Sequence, residues 1–405
     1  MNEDNKSVMF RMNVENIRKD FPILDDGLIY MDSAATSLTP ESVVASIQSY
    51  YRDYNANVGR GVHRLSQVAS QLYEGGHTKI ADFINAKEEE IVFTKNTTEG
   101  INLVASGLGW KRGDKIVTSI LEHHSNLMPW LRVKKKFGVN LEIVKPKNGV
   151  LSPEDVEKVV DDKTKLVALT HVSNVLGLIT PIKEIAKVCE DNNAFFLVDG
   201  AQSVPHLPVD VKELGCDFLA FSGHKMLGPT GTGVLFIRMP LLESVEPLTI
   251  GGGTINDVSL EGYKLKENYE RFEAGTPNVA GGIALGRAVE YLEKIGMNDI
   301  RKHEEKLTKK FVLGLKEIKN VEILYPNLER RIGVISFNIK GLNPHDVALM
   351  LDNFSNIMVR SGYHCCMPLI RWLGVNGAVR VSLYLYNTEE EVETLLGTIE
   401  EIARG

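Results

Sequence analysis

Two neighbouring segments carry the side chains with the clearest chemical potential. FFLVDGAQS, residues 195 to 203, and FLAFSGHK, residues 218 to 225, are apolar runs that end in polar groups: Asp199 with Gln202 in the first, Ser222, His224 and Lys225 in the second. As buried strands of one sheet they would set a carboxylate at one strand end beside an amine at the next. A pyridoxal cofactor requires such a pair. The amine condenses with the aldehyde as a Schiff base, and the acid keeps the pyridinium nitrogen protonated so that the ring draws electrons. Taken singly, Asp199 reads equally well as a turn cap and Lys225 as a solvated loop lysine; taken together in this setting they favour the cofactor. Gly223 before the lysine and GPTGTG after it permit close backbone approach and tight turning.

A phosphate is held by backbone amides at a helix N-terminus with hydroxyls beside them. VFTKNTTEGINLVA supplies a short strand and then Thr97 and Thr98 at the start of an apolar-faced helix, although the same residues also read as an ordinary helix cap. No Walker-type loop and no GxGxxG after a first strand competes for a nucleotide. After KIVTSI comes LEHHSN, where His123 or His124 either lies over an aromatic ring and handles a proton near neutral pH or is a surface feature. Asn174, after LVALTHVS, either donates to a phenolate oxygen of the cofactor or satisfies a turn.

VRSGYHCCMP places Cys365 and Cys366 in a glycine-containing loop after a strand, with Arg360 and His364 beside them. A cation and an imidazole near a loop thiol favour the nucleophilic thiolate. The alternatives are a buried neutral thiol or a metal ligand, and the metal ranks last because no CxxC pair or HExxH helix completes a zinc set. Cys189, in a helical pattern, and Cys216, just before a strand, are expected in the core. Arg380 interrupts the apolar strand AVRVSLY. A buried arginine is costly unless paired, and its partner is either a substrate carboxylate or a structural salt bridge.

These residues need a scaffold that brings strand ends together. From about residue 25 to 280, short β-branched runs alternate with helical periods, the pattern of βαβ units around a largely parallel sheet. KIVTSI, LEIVK, KLVALTHV, AFFLVDG, DFLAFSG and GVLFIR read as buried strands. SPEDVEKVV, capped by Ser152 with Pro153 in its first turn, and PIKEIAKVCEDNN read as helices. Ligands of such sheets gather at the carboxyl ends of the strands. Beyond residue 280 a long helix, GGIALGRAVEYLEKIG, leads to another helical stretch. RIGVISFNI, IMVRSG and AVRVSLYLY then read as half-buried strands, and a last helix is capped by the Thr388 and Glu391 box. We therefore expect a large α/β domain over 25–280 and a smaller α/β domain over 281–405, joined by the N-terminal segment 1–24, with a cleft between them.

The 405 residues, 43% hydrophobic and 24% charged, suit two soluble cores, and the formal net charge of -7 disfavours nucleic acid or anionic lipid as partners. No apolar stretch at the N-terminus reads as a signal-peptide core, and no run is long enough for a membrane helix. Four cysteines are too few for a disulfide framework, which points to a reducing, cytoplasmic setting.

In order along the chain, MDSAAT, TTEGINLV, EHHSNLMPW, HVSNVLG, VDGAQS, FSGHKMLGPTGTG, RFEAGTPN and RSGYHCCMP resemble the SufS-like cysteine desulfurases, in the class V aminotransferase group of fold-type I pyridoxal-phosphate enzymes. The resemblance runs from about Phe21 to the C-terminal helix and implies a mostly parallel seven-stranded sheet with a smaller C-terminal domain. It implies that Lys225 carries pyridoxal 5'-phosphate, that His123 stacks on its ring and that Asp199 pairs with its nitrogen. Gln202 and Asn174 would contact the phenolate side, and Thr97, Thr98, Ser222 and His224 the phosphate. It also implies a homodimer in which Thr276 reaches the partner's phosphate, with Arg380 on the substrate carboxylate beside Arg360, and Cys365 as the persulfide-forming thiol. The implied reaction turns L-cysteine into L-alanine and passes sulfur to an acceptor protein or a Suf-type iron-sulfur scaffold, with no metal of its own. Rival expectations on the same scaffold are a selenocysteine lyase or cysteine sulfinate desulfinase, and an aminotransferase or epimerase. A non-catalytic scaffold for iron-sulfur assembly is the remaining alternative. Two positions depart from the pattern: Tyr363 stands where the family has a histidine, and Cys366 where it has alanine.

Overall fold

The computed structural model describes residues 12–59, 61–146 and 149–405. Residues 1–11 of the expected N-terminal segment lie outside the described residues. Runs of Val, Ile, Leu and Phe form seven strands of one sheet: β1 Ile91–Thr94, β2 Lys115–Ser119, β3 Asn140–Val144, β4 Thr164–Thr170, β5 Phe195–Asp199, β6 Phe218–Ser222 and β7 Gly233–Ile237. Their order is β1-β7-β6-β5-β4-β2-β3. Only β7 runs against the rest, antiparallel to β1 on one side and β6 on the other. The central strands β4 to β7 are almost entirely buried, as continuous apolar strands covered on both faces must be. LEIVK departs from the expected buried strand: among the described residues β3 is the sheet edge, paired only with β2, and its exposure alternates along the strand.

Register aligns the polar strand ends along one rim. Thr170 pairs with Asp199, Asp199 with Ala220, and Ser222 with Gly233. Gly233 also pairs with Thr94, and a Cβ there would lie 2.5 Å from the Cα of Asn96. The missing side chain lets helix α1, Thr97–Gly107, begin against the rim itself.

Beyond the large sheet, helices α2 Val279–Ile295 and α3 Met297–Glu317 lead to four antiparallel strands, β8 Val321–Ile323, β9 Val334–Ile339, β10 Arg360–Gly362 and β11 Ala378–Ser382, in the order β8-β9-β11-β10. The boundary expected near residue 280 falls in the first turn of α2, which packs on the helices Glu41–Asp53 and Arg64–Phe83. The run IMVRSG is split: Ile357 and Met358 pair with Ile29 and Tyr30, and only residues 360–362 join the smaller sheet.

β11 and most of β9 are buried on both faces rather than half-buried. Helix α3, helix α4 Pro344–Ser355 and the C-terminal helix α5 Glu389–Arg404 cover one side. The large unit covers the other, through Ser336 Oγ donating to the Val175 carbonyl at 2.6 Å and Ile332 N–H donating to Gly177 at 2.8 Å. Gly177 has φ +68°, and a Cβ there would meet the Val334 carbonyl at 2.2 Å, so the two units approach backbone to backbone. The described part of the N-terminal segment joins the C-terminal region: Arg18 Nη1 binds Glu391 at 2.7 Å, and the Phe21 ring meets Tyr386 edge-on at 5.1 Å.

Candidate active site

The carboxyl ends of β4, β5 and β6 open into a cavity of about 190 Å³ between the two sheets. Lys225 sits there on a single helical turn, Gly223–Lys225, in the connection from β6 to β7. The ladder continues one step beyond the strands, with Gly223 N–H donating to the Thr232 carbonyl at 2.9 Å, so the lysine is held between two paired strands. Burial lowers its ammonium to about 8; Asp199 opposes this, and Arg380 and Arg360 add to it. An amine partly neutral near physiological pH can attack an aldehyde or accept a proton. Asp199 is buried, and burial raises its carboxyl above the usual range while the Ala201 N–H, 3.0 Å away, and Lys225 pull it back.

On another wall, Asn96 caps α1 by accepting the Glu99 N–H at 3.0 Å. Thr97 and Thr98 are thus not needed as caps. Thr97 Oγ1 lies 2.6 Å from Ser222 Oγ, which also accepts the Thr97 N–H at 2.9 Å, and Thr98 Oγ1 lies 2.7 Å from Ser125 Oγ. With His224 these residues line the cavity as a hydroxyl-rich helix N-terminus suited to an anion. His123 is held through Nδ1, which accepts the Ser125 N–H at 3.1 Å. Burial first, and then the positive charge of Lys225, lower its pKa to about 3. The imidazole is therefore neutral at pH 7, with its proton on Nε2, and of the two roles open to His123 or His124 this ring does not fill that of a group titrating near neutrality. Gln202 donates to the Ala34 carbonyl at 2.7 Å, and Asn174 donates to the His364 carbonyl at 2.8 Å, so both amides brace the cavity wall.

Cys365 lines the same cavity, is exposed, and stands with His364 in the left-handed backbone region, at φ +55° and +49°. The expected imidazole support for its thiolate is not there. His364 is buried, its Nε2 faces the Ala378 carbonyl at 3.0 Å, and burial followed by the charge of Arg380 lowers it to about 3, leaving a neutral ring. The cations around the thiol are Lys225, Arg380 and Arg360; the two arginines pair across β10 and β11, and all three line the cavity. Cys366 is buried, and burial pushes its thiol far above the ordinary range. Cys189 and Cys216 are buried too, with thiols pushed up to about 12.

Arg380 forms the structural salt bridge that the sequence allowed, and it borders the cavity as well. Its Nη2 donates to Asp32 Oδ1 at 2.8 Å and its Nη1 to the Asn174 carbonyl at 3.2 Å, while Nε has no partner among the described residues. Thr276 is the one expected site residue outside it. It lines a separate groove with Tyr73, Lys95 and Glu99. Among the described residues, no group of three or more His, Cys, Asp or Glu is placed to hold a metal ion.

Two residues went unassigned in the sequence. Asp32, in MDSAAT, anchors Arg380. Glu122, in EHHSN, is fully buried, receives Ser119 Oγ at 2.6 Å and Asn126 Nδ2 at 2.5 Å, and is raised to about 8 by burial. In each case the visible signal was a carboxylate directly after an apolar run.

The donor set fits pyridoxal 5'-phosphate: a half-buried amine of lowered pKa, an acid in the depth of the cavity, and hydroxyls at a helix N-terminus. The buried Gln202 Oε1, Arg380 Nε and His364 Nδ1, which have no partner among the described residues, leave hydrogen-bonding capacity around the same space.

The family model described as aminotransferase class-V matches residues 29–395. A Pyrococcus abyssi protein named "Probable cysteine desulfurase" is 52% identical over 394 residues, covering 96% of this chain and 98% of its own. One of the same name from Halalkalibacterium halodurans is 48% identical over 400 residues, covering 96% and 98%. Among solved structures, the apo cysteine desulfurase of Thermococcus onnurineus NA1 superposes with a TM-score of 0.93 at 54% identity, covering 96% of this chain and 98% of that one.

Proposed function

This chain belongs to the aminotransferase class-V family, and from that premise we propose that it is a pyridoxal 5'-phosphate-dependent cysteine desulfurase, converting L-cysteine to L-alanine while Cys365 takes up the sulfur as a persulfide. One observation carries the reading: segments far apart in the chain bring Lys225, Asp199, His123, Arg380 and Cys365 to the wall of a single cavity. The names of the full-length relatives point to the same reaction.

Bound at Lys225, the cofactor makes the α-carbon of an amino acid acidic. Thr97, Thr98, Ser222 and His224 would hold its phosphate, Asp199 its ring nitrogen, Asn174 and Gln202 its phenolate side, and His123 its ring face. Arg380, aimed by Asp32 and the Asn174 carbonyl, binds the carboxylate of cysteine, with Arg360 adding positive charge. Lys225, with its lowered pKa, moves the proton at the α-carbon. The Cys365 thiolate attacks the substrate sulfur: an S–S bond forms, the Cβ–S bond breaks, and the electron pair left on carbon ends with a proton in the methyl group of alanine. Overall, one enzyme thiol and one cysteine give one enzyme persulfide and one alanine.

The exposure of Cys365 supports onward transfer to an acceptor protein, which we take to be an iron-sulfur assembly component. An exposed apolar strip of Leu65, Val68 and Leu72 on the helix Arg64–Phe83, near the groove holding Thr276, supports a homodimer in which Thr276 serves the partner's site. The free cysteines support a cytoplasmic setting.

The test is Cys365→Ala. Incubated with cysteine, the native enzyme gains one sulfur at Cys365 by intact-mass analysis and forms alanine. The variant keeps the bound-cofactor absorbance and gains no sulfur. Turnover of cysteine by the variant at the native rate overturns the assignment.

A further inference from the structure

The loop carrying Cys365 is fastened to the large sheet by contacts that the chemistry at the thiol does not itself require. Past β2 the chain turns through Glu122, His123 and His124. The backbone N–H of His124 donates to the Cys365 carbonyl at 2.8 Å. Its ring reaches two residues further along the same loop, where Nε2 accepts the Met367 N–H at 3.2 Å. Between these contacts the Cys366 thiol donates to the Glu122 carbonyl at 3.2 Å. Met367 opens the short helix Met367–Trp372, whose N-cap residue gives it no side-chain hydrogen bond. A first-turn N–H left open by the helix is thus satisfied from across the cleft. On the other side of the loop, Asn174 holds the His364 carbonyl.

What is held in this way is a conformation that the loop does not favour by itself. His364 and Cys365 are consecutive non-glycine residues at positive φ, and each costs free energy that surrounding contacts must offset. Directly beneath the exposed Cys365, Cys366 is wholly buried. The two adjacent thiols therefore differ in accessibility because of how the loop is docked.

We propose that His124 is a positioning residue whose backbone amide and ring nitrogen clamp residues 365–367, presenting Cys365 to the cavity while keeping Cys366 sealed. The proposal rests on the desulfurase reading only for what Cys365 does once it is presented. The clamp needs an acceptor at Nε2, so the ring proton sits on Nδ1. A glutamine, whose side-chain oxygen also accepts, replaces the ring function, and an alanine does not.

The test compares native protein, His124→Ala and His124→Gln by timed alkylation with iodoacetamide and peptide mass analysis, in the presence and absence of pyridoxal 5'-phosphate. Cys189 and Cys216, both buried elsewhere, serve as internal standards. Losing one hydrogen bond of the clamp raises the alkylation rate of Cys366 about tenfold in His124→Ala. Cys189 and Cys216 stay protected, and His124→Gln returns the rate toward native. In turnover, His124→Ala lowers kcat for alanine formation with KM for cysteine near native, because Arg380 is untouched. Three results overturn the proposal: Cys366 as slow in His124→Ala as in native protein, all three buried thiols becoming reactive together, or no recovery in His124→Gln. An inactive native protein would sink the desulfurase reading, and the alkylation pattern would still decide the clamp.

Discussion

Replacing Glu122 with Gln should make the protein more stable relative to native as pH rises, and the size of the effect can be worked from the structure. The Glu122 carboxyl is fully buried and its pKa is raised from 4.5 to about 8, chiefly by burial, with the Ser119 and Asn126 hydrogen bonds working against it. The unfolded chain loses this proton near 4.5, whereas the folded chain keeps it until about 8. Between those values the native state binds more protons than the unfolded state, so this group costs stability as pH rises; below 4.5 it costs nothing. From pH 6 to pH 8 the penalty grows by roughly 2 kcal/mol, at ~1.4 kcal/mol per pH unit, less the part lost as the folded group starts to ionise. Glutamine carries no titrating proton and keeps both an acceptor for Asn126 and a donor for Ser119, so its own cost does not vary with pH. For a chain of this size the unfolding entropy is ~0.85 kcal/mol/K, and the difference in Tm between variant and native should widen by about 2–3 °C over that range. Scanning calorimetry of both proteins at pH 6, 7 and 8 measures it, since all other titrating groups are common to the pair. Parallel Tm curves, or a gap that narrows as pH rises, would refute the placement of a neutral carboxyl beneath the site.

Two further expectations concern the cavity. With the Lys225 ammonium lowered to about 8, covalent capture of pyridoxal 5'-phosphate by the apo protein should accelerate up to about pH 8 and then level off, because only the free amine condenses. A rate still climbing at pH 10, followed by absorbance, would mean an ordinary lysine. Asp32→Ala removes the anchor 2.8 Å from Arg380 Nη2 and should raise KM for cysteine about tenfold with a smaller change in kcat, with Asp32→Asn recovering part of the loss through its remaining acceptor. Unchanged KM in Asp32→Ala would show that Arg380 is oriented by other contacts.

Much of the cavity was legible because a buried strand must be apolar along its length and can change character only at its end. Asp199, Ser222 and Lys225 announced themselves in that way, and the parallel order of β4, β5 and β6 then brought them to one rim. What could not be read were pairings that only the fold creates. Asp32 and Arg380 lie 348 residues apart, and nothing local marks them as partners. The edge position of β3 depends on which strand ends the sheet, and LEIVK is apolar enough to pass for an interior strand. His364 looked like a helper for Cys365 because it is adjacent in sequence, but left-handed backbone at both residues sends its ring to the Ala378 carbonyl, where burial keeps it neutral.

The reversed direction of β7 has a consequence for how the site can move. A parallel strand would have required a long crossover, usually through a helix, and the lysine would then have stood far along the chain from the next bonded strand. Here the connection is a hairpin bonded up to Gly223 and Thr232, and the backbone on either side of Lys225 is moored by Ser37 N–H donating to the His224 carbonyl at 2.8 Å and Met226 N–H to that of Gly223 at 2.9 Å. Every displacement of the amine, whether toward the ring, toward the substrate or back, must be made by the four methylenes of one side chain. Reach is thereby limited to a small sphere about a fixed Cα, and the substrate must be brought to that sphere by the groups around it.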